Sequence, residues 1–206
     1  MKFILNLIKI SLKYGRFNIR IYEIILGYII YNYIIQGGIM FDLSIFKEMS
    51  QKEKYENMLL MLKGILEGEE DVVTNLSNST ALINALIEDI SWCGFYIIKN
   101  GELVLGPFQG LPACTRIKIG KGVCGTAAKK KETILVKDVN SFEGHIACDA
   151  ASSSEIVIPI IKDEKVYGVL DIDSTSIARF HEEDKIYLEK AVDTINSYVD
   201  WNKISY

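Results

Sequence analysis

The sequence predicts an α+β fold: a central antiparallel sheet of about five to six strands, N- and C-terminal helices packed on one face, and a pocket on the other. Three observations lead there. Helical periodicity is confined to the two ends of the regular part of the chain, two β-hairpin patterns lie between them, and the stretch separating the hairpins is irregular. Strands framed by terminal helices favour a sheet covered on one face. With 206 residues, 49% apolar, 24% charged and only 3 prolines, the chain has material for one domain with a real core and little sign of low complexity.

Residues 1–39 stand apart. They are crowded with Ile and Tyr, carry Lys2, Lys9, Lys13, Arg16 and Arg20 against the single acid Glu23, and show no clean period. The best apolar run, Ile24 to Ile35, is interrupted by Asn32 and is shorter than the roughly 20 residues that span a bilayer. The segment reads as an extension upstream of the functional domain, with Met40 as the natural start. A weak membrane segment is the alternative. The domain itself is expected over 40–206.

Within the domain, Tyr55, Met58, Leu59, Leu62, Ile65 and Leu66 repeat at three- and four-residue spacing and predict a helix ended by Gly68. Asp71 opens a second helix bearing Val72, Val73, Leu76, Ile83, Leu86 and Ile87 on one side. Ser91 to Lys99 and Glu102 to Phe108 flank Asn100-Gly101, a dipeptide suited to a two-residue hairpin turn. Ala127 to Lys131 reads as a short helix and Ile134 to Val136 as a short strand. Glu155 to Lys162 and Lys165 to Ser174 form a second hairpin around Asp163-Glu164. Phe180 to Asn202 closes the chain as a helix with Leu188, Val192, Ile195 and Val199 on one face and acids in its first turn.

The net charge of −4, with basic residues scattered among acids, argues against nucleic acid as a partner. Four cysteines, Cys93, Cys114, Cys124 and Cys148, fall within 56 consecutive positions. A domain with this much core needs no disulfide framework, and no secretory cleavage site follows the first apolar stretch, so reactive thiols or metal ligands are the better reading. Cys114, Cys124, His145 and Cys148 are a formal zinc set, but none shows the short C-x2-4-C spacing of structural sites, and no metal is expected. Cys148 lies in a polar, glycine-containing loop where an exposed thiol calls for a role, whereas Cys93, opposite Trp92 on its strand, reads as a buried small hydrophobe.

Strand alternation places Tyr167, Val169, Asp171 and Asp173 on one face and Val166, Leu170 and Ile172 on the other. Two carboxylates side by side on an apolar strand favour a bound proton or cation; a solvated strand end is the bland alternative. Trp92, Gly94 and Tyr96 likewise share a face, as core or as an aromatic wall for a ligand carrying a methyl or positive group. Gly120 to Thr126, before a short helix, could present N–H groups to an anion, a weak signal on its own.

Taken in order, Ser91-Trp92-Cys93-Gly94-Phe95-Tyr96, Gly106 to Cys114, Gly120 to Ala127, His145-Ile146-Ala147-Cys148-Asp149 and Gly168 to Ser174 resemble the free methionine-(R)-sulfoxide reductase family, whose members are GAF domains. The match runs from about Met40 to Asn202. The spacing of Cys114, Cys124 and Cys148, ten and then twenty-four positions, is also the family's. The resemblance implies a GAF-like fold, a catalytic thiol at Cys148, a resolving thiol at Cys114 and an accessory thiol at Cys124. It further implies Glu155, Asp171 and Asp173 as the acids of the substrate pocket and Trp92 and Tyr96 as its aromatic wall. The implied activity is reduction of free L-methionine (R)-S-oxide in the cytoplasm, with thioredoxin as reductant, no bound cofactor and commonly a homodimer. A GAF-type sensory module that binds a small molecule or reads redox state without turnover is the rival from another class; the absence of an output domain from this chain favours the enzyme.

Overall fold

Ser50 starts the first helix. Its hydroxyl accepts the Glu53 N–H at 3.3 Å while the Glu53 carboxylate accepts the Ser50 N–H at 2.8 Å, a reciprocal cap over the orphan donors of α1, Gln51–Leu66. In the computed structural model, which describes residues 46–144 and 151–204, this helix buries Tyr55, Met58, Met61, Leu62 and Leu66. Met61 thus takes a core place, and Leu59 and Ile65 sit half-buried at the edges of the apolar stripe. Gly68 follows the helix at φ +83°, the left-handed geometry that ends helices. Asp71 caps α2, Val72–Leu86, by accepting the Thr74 N–H at 2.7 Å.

Six strands follow: β1 (Trp92–Lys99), β2 (Glu102–Gln109), β3 (Arg116–Lys118), β4 (Ile134–Val136), β5 (Ser154–Lys162) and β6 (Lys165–Ser174). They form one sheet in the order β3-β2-β1-β6-β5-β4, every neighbouring pair antiparallel. Asn100 and Gly101 in the first hairpin, and Asp163 and Glu164 in the second, all have positive φ, matching the right-handed strand twist that selects such turns. Strand β3 is invisible to alternation because it offers one buried residue, Ile117, between exposed Arg116 and Lys118. Pairing with β2 creates it, with Leu103 opposite Ile117 and Arg116 bridging to Glu102 at 2.7 Å.

Helix α2 packs on β1 and β2, the C-terminal helix α4 (Glu182–Tyr198) packs on β5, and α1 lies against both helices. The fully buried Cys93, Phe95, Ile156, Ile160, Leu170 and Ile172 belong to the strand set alternate to Trp92, Tyr96, Val157 and Val169, so each of the two strand faces has its own core. The second set joins α3, Gly122–Lys130, through Val123, Cys124, Ala127 and Ala128. All described residues fall in one unit spanning Asp42–Tyr206; residues 1–39 lie outside the described residues. Among the described residues, no helix is long and apolar enough to cross a membrane.

Three elements depart from the sequence reading. Helix α3 begins at Gly122, not Ala127, and so carries Cys124 within its first turn; Gly125 allows this, since a Cβ there would meet the Lys118 carbonyl oxygen at 2.3 Å. The C-terminal helix ends at Tyr198, not Asn202. Val199 turns extended, Asp200 caps a separate 3-10 turn, and Trp201 folds in to donate its indole N–H to Asn196 at 2.9 Å. On β6 the register slips: Gly168 faces Ile160 and Val166 faces Ile161, leaving Tyr167 unpaired. This bulge reverses the alternation beyond it, so Tyr167 stacks on Trp201 at 5.9 Å and Val166 packs with the α3-side core.

Candidate active site

The site is laid out by register across the central strands. Trp92 lies opposite Asp173, Asp173 opposite Glu155, and Glu155 opposite Val136; in the next row of the same face Gly94 meets Asp171 and Asp171 meets Val157. Three carboxylates from two neighbouring strands therefore share one face with the indole, and the strand backbone fixes their spacing. Helix α3 crosses above them and contributes Cys124. Together with Tyr96, Ser152 and the Leu111–Ala113 turn, these groups enclose a narrow cavity of about 30 Å³.

The indole of Trp92 stacks between Tyr96 at 5.9 Å and Phe108 at 5.4 Å and donates its N–H to the Leu111 carbonyl at 3.0 Å. Two glycines make room for it. A Cβ on Gly94 would sit 2.4 Å from the ring, and one on Gly110, at φ +127°, would sit 2.6 Å from its Cδ1. Glycine at these positions is thus a steric requirement of the aromatic wall.

Glu155 and Asp171 have been taken out of water. Asp171 is 6% exposed, and burial pushes its carboxyl up to about 6. Glu155 is driven well above the usual carboxylate range, by burial first and then by the charges of Asp171 and Asp173. The two interact closely, so they titrate as a pair rather than singly. Oδ1 of Asp171 and Oγ of Ser152 are buried with no hydrogen-bond partner among the described residues. Buried polar atoms facing a cavity without partners are positions for a ligand to satisfy.

The cysteines separate by environment. Cys124 is buried, with its thiol 3.9 Å from Glu155 Oε1, and burial together with Asp171 and Glu155 holds it well above the ordinary thiol range. It is a neutral thiol, a hydrogen-bond donor more than a nucleophile. Cys93 is fully buried in the opposite, helix-covered face, as expected, and burial raises it strongly. Cys114 is half-buried against the α3-side core and engaged in a disulfide, while Cys93 and Cys124 are free. Cys148 and His145 lie outside the described residues.

A GAF domain model matches residues 79–200. The free methionine-R-sulfoxide reductase of Saccharomyces cerevisiae is 48% identical over 156 residues, covering 72% of this chain and 87% of its own length. The chain belongs to the free methionine-R-sulfoxide reductase family. Its Escherichia coli member is 45% identical over 144 residues, covering 70% of this chain and 87% of its own. The structure described as fRMsr of Staphylococcus aureus in complex with substrate superposes with a TM-score of 0.67 at 49% identity, covering 70% of this chain and 94% of that one. In this member of the reductase family, Trp92, Tyr96, Cys124, Glu155, Asp171 and Asp173 converge on one cavity. Sequence reasoning missed Ser152, since a serine in a loop carries no pattern; it raised Gly120 to Thr126 as a possible anion-binding turn, and the structure places Gly122, Val123 and Cys124 of that segment in the lining.

Proposed function

We propose that the protein reduces free L-methionine (R)-S-oxide to L-methionine, releasing water and consuming the electrons of a thioredoxin-type dithiol in the cytoplasm. The observation that carries this reading is the meeting of the buried Glu155 and Asp171 with the stacked Trp92 and Tyr96 on one cavity, in a chain whose family members are named for this reaction. Sulfoxide oxygen leaves only when protonated, and Glu155, whose carboxyl burial and the neighbouring acids raise well above its ordinary range, is the group suited to supply that proton. Cys148 attacks the sulfur as Glu155 protonates the oxygen; the hydroxyl then passes from the substrate sulfur to the Cys148 sulfur as the new S–S bond breaks, so methionine departs and Cys148 is left as a sulfenic acid. Cys114 condenses with that sulfenic acid, expelling water and forming a disulfide. An external dithiol then restores both thiols by exchange. In support, Cys114 is disulfide-engaged whereas Cys93 and Cys124 are free.

Asp171 and Asp173 hold the ammonium of the amino acid, and the stacked Trp92 and Tyr96 receive its methyl end. Cys124 is better suited to donating a hydrogen bond to the carboxyl pair than to resolving the sulfenic acid. The test is turnover with a thioredoxin system on free R and S sulfoxide epimers and on N-acetyl- and peptide-bound methionine sulfoxide. Reduction of the free R epimer alone is expected. Comparable rates on peptide substrate would exclude a pocket that reads both charged ends, and tight binding of the free sulfoxide without turnover would make the domain a sensor.

A further inference from the structure

Cys124, Glu155 and Asp171 each place one potential ligand atom within 4.8 Å of the other two, and all three residues are buried. Tetrahedral zinc with a thiolate at about 2.3 Å and a carboxylate oxygen at about 2.0 Å sets these two ligands about 3.5 Å apart. The Cys124 Sγ to Glu155 Oε1 separation is 3.9 Å, so a shift of a few tenths of an ångström completes that edge. The third corner is supplied by Asp171, which is 6% exposed, lines the cavity, and keeps Oδ1 without a partner among the described residues. One sulfur and two carboxylate oxygens around a fourth position open to the cavity is a donor set that suits zinc and disfavours magnesium or calcium, which take oxygen alone.

We propose that Cys124, Glu155 and Asp171 form a binding site for a thiophilic divalent cation, zinc foremost, which occupies the cavity in place of substrate. The cation binds Cys124 as its thiolate, displacing the thiol proton, so binding weakens as pH falls. The inhibitory consequence rests on the reductase reading, since the ion consumes the acid and the ammonium site together; the binding itself does not. The site also differs from the formal set of Cys114, Cys124, His145 and Cys148, because it needs neither Cys114 nor Cys148 reduced.

Cobalt(II) and zinc titrated into the full chain, oxidised so that its disulfide is intact, provide the test. One equivalent of cobalt is expected to give a thiolate-to-cobalt charge-transfer band with tetrahedral d–d intensity, displaced by zinc. Loss of an outer partner of a metal ligand alone costs roughly 10- to 100-fold in affinity, so Asp171→Asn, which removes a ligand charge, should cost about 100-fold or more. Cys124→Ser should abolish the charge-transfer band with circular dichroism unchanged, and Cys93→Ser should leave binding intact. Absence of the band in the oxidised wild type, or its survival in Cys124→Ser, would overturn the assignment. Binding seen only after reduction and lost in Cys114→Ser would assign the metal to the other cysteine set. Because these readouts need no turnover, an inactive protein that binds cobalt refutes the reductase reading alone, and an active protein that does not bind refutes only the metal site.

Discussion

Replacing Asp171 with Asn should separate stability from function. Burial raises this carboxyl from its ordinary 3.8 to about 6, a difference equivalent to about 3 kcal/mol between its protonated and ionised forms. Between those two values the folded protein retains a proton that the unfolded chain has lost, so stability declines as pH rises. The contribution is complete below 3.8 and gone once pH has passed through about 6, while Glu155, raised further, extends the decline upward. Asn has the same shape, bears no charge, and can donate to the Glu155 carboxyl. Its amide still costs something to bury, so the net gain expected at pH 8 is about 1–3 kcal/mol, shrinking toward zero near pH 4 where the wild-type acid is neutral. Urea unfolding at a series of pH values measures it, alongside turnover, which should fall roughly tenfold to a hundredfold through loss of a charged hydrogen bond to substrate. A variant less stable than wild type at pH 8 would show that the ionised carboxylate supports the fold, and a wild-type stability independent of pH between 4 and 7 would refute the raised acid.

Gly94→Ala should force the Trp92 ring from its place, destabilising the domain by about 1–3 kcal/mol and raising KM for the sulfoxide; thermal unfolding and steady-state kinetics check both. Glu164→Gly relieves a left-handed φ of 61° at the second hairpin and should stabilise by roughly 1 kcal/mol with unchanged turnover, read by chemical denaturation. Cys148→Ser should abolish reduction even with excess dithiothreitol. Cys114→Ser should release about one methionine per chain and accumulate a dimedone-reactive sulfenic acid at Cys148 by mass spectrometry; retention of a single turnover by Cys148→Ser and its loss in Cys124→Ser would reassign the nucleophile.

The sequence by itself determined what depends on local spacing and turn chemistry. Asn100-Gly101 marked the first hairpin because both residues tolerate the left-handed turn, the alternating strands flanking Asp163-Glu164 marked the second, and Asp71 marked the start of α2 through its side-chain cap. Alternation put Asp171 and Asp173 together with Val169 on one face of β6, and Trp92 with Tyr96 on one face of β1; the register made these the same sheet face. Tertiary structure decided what depends on partners distant along the chain. Strand β3 exists because β2 offers it an edge, and Tyr167 left the face that alternation gave it because β5 and β6 pair with a bulge. Glu155 was legible only through the family's motif; the register places it opposite Asp173, in reach of Cys124 from a helix thirty-one positions earlier. The raised acids follow from that meeting, since a carboxyl gives up its hydration only when other parts of the chain close over it, and no pattern within a single strand records that closure.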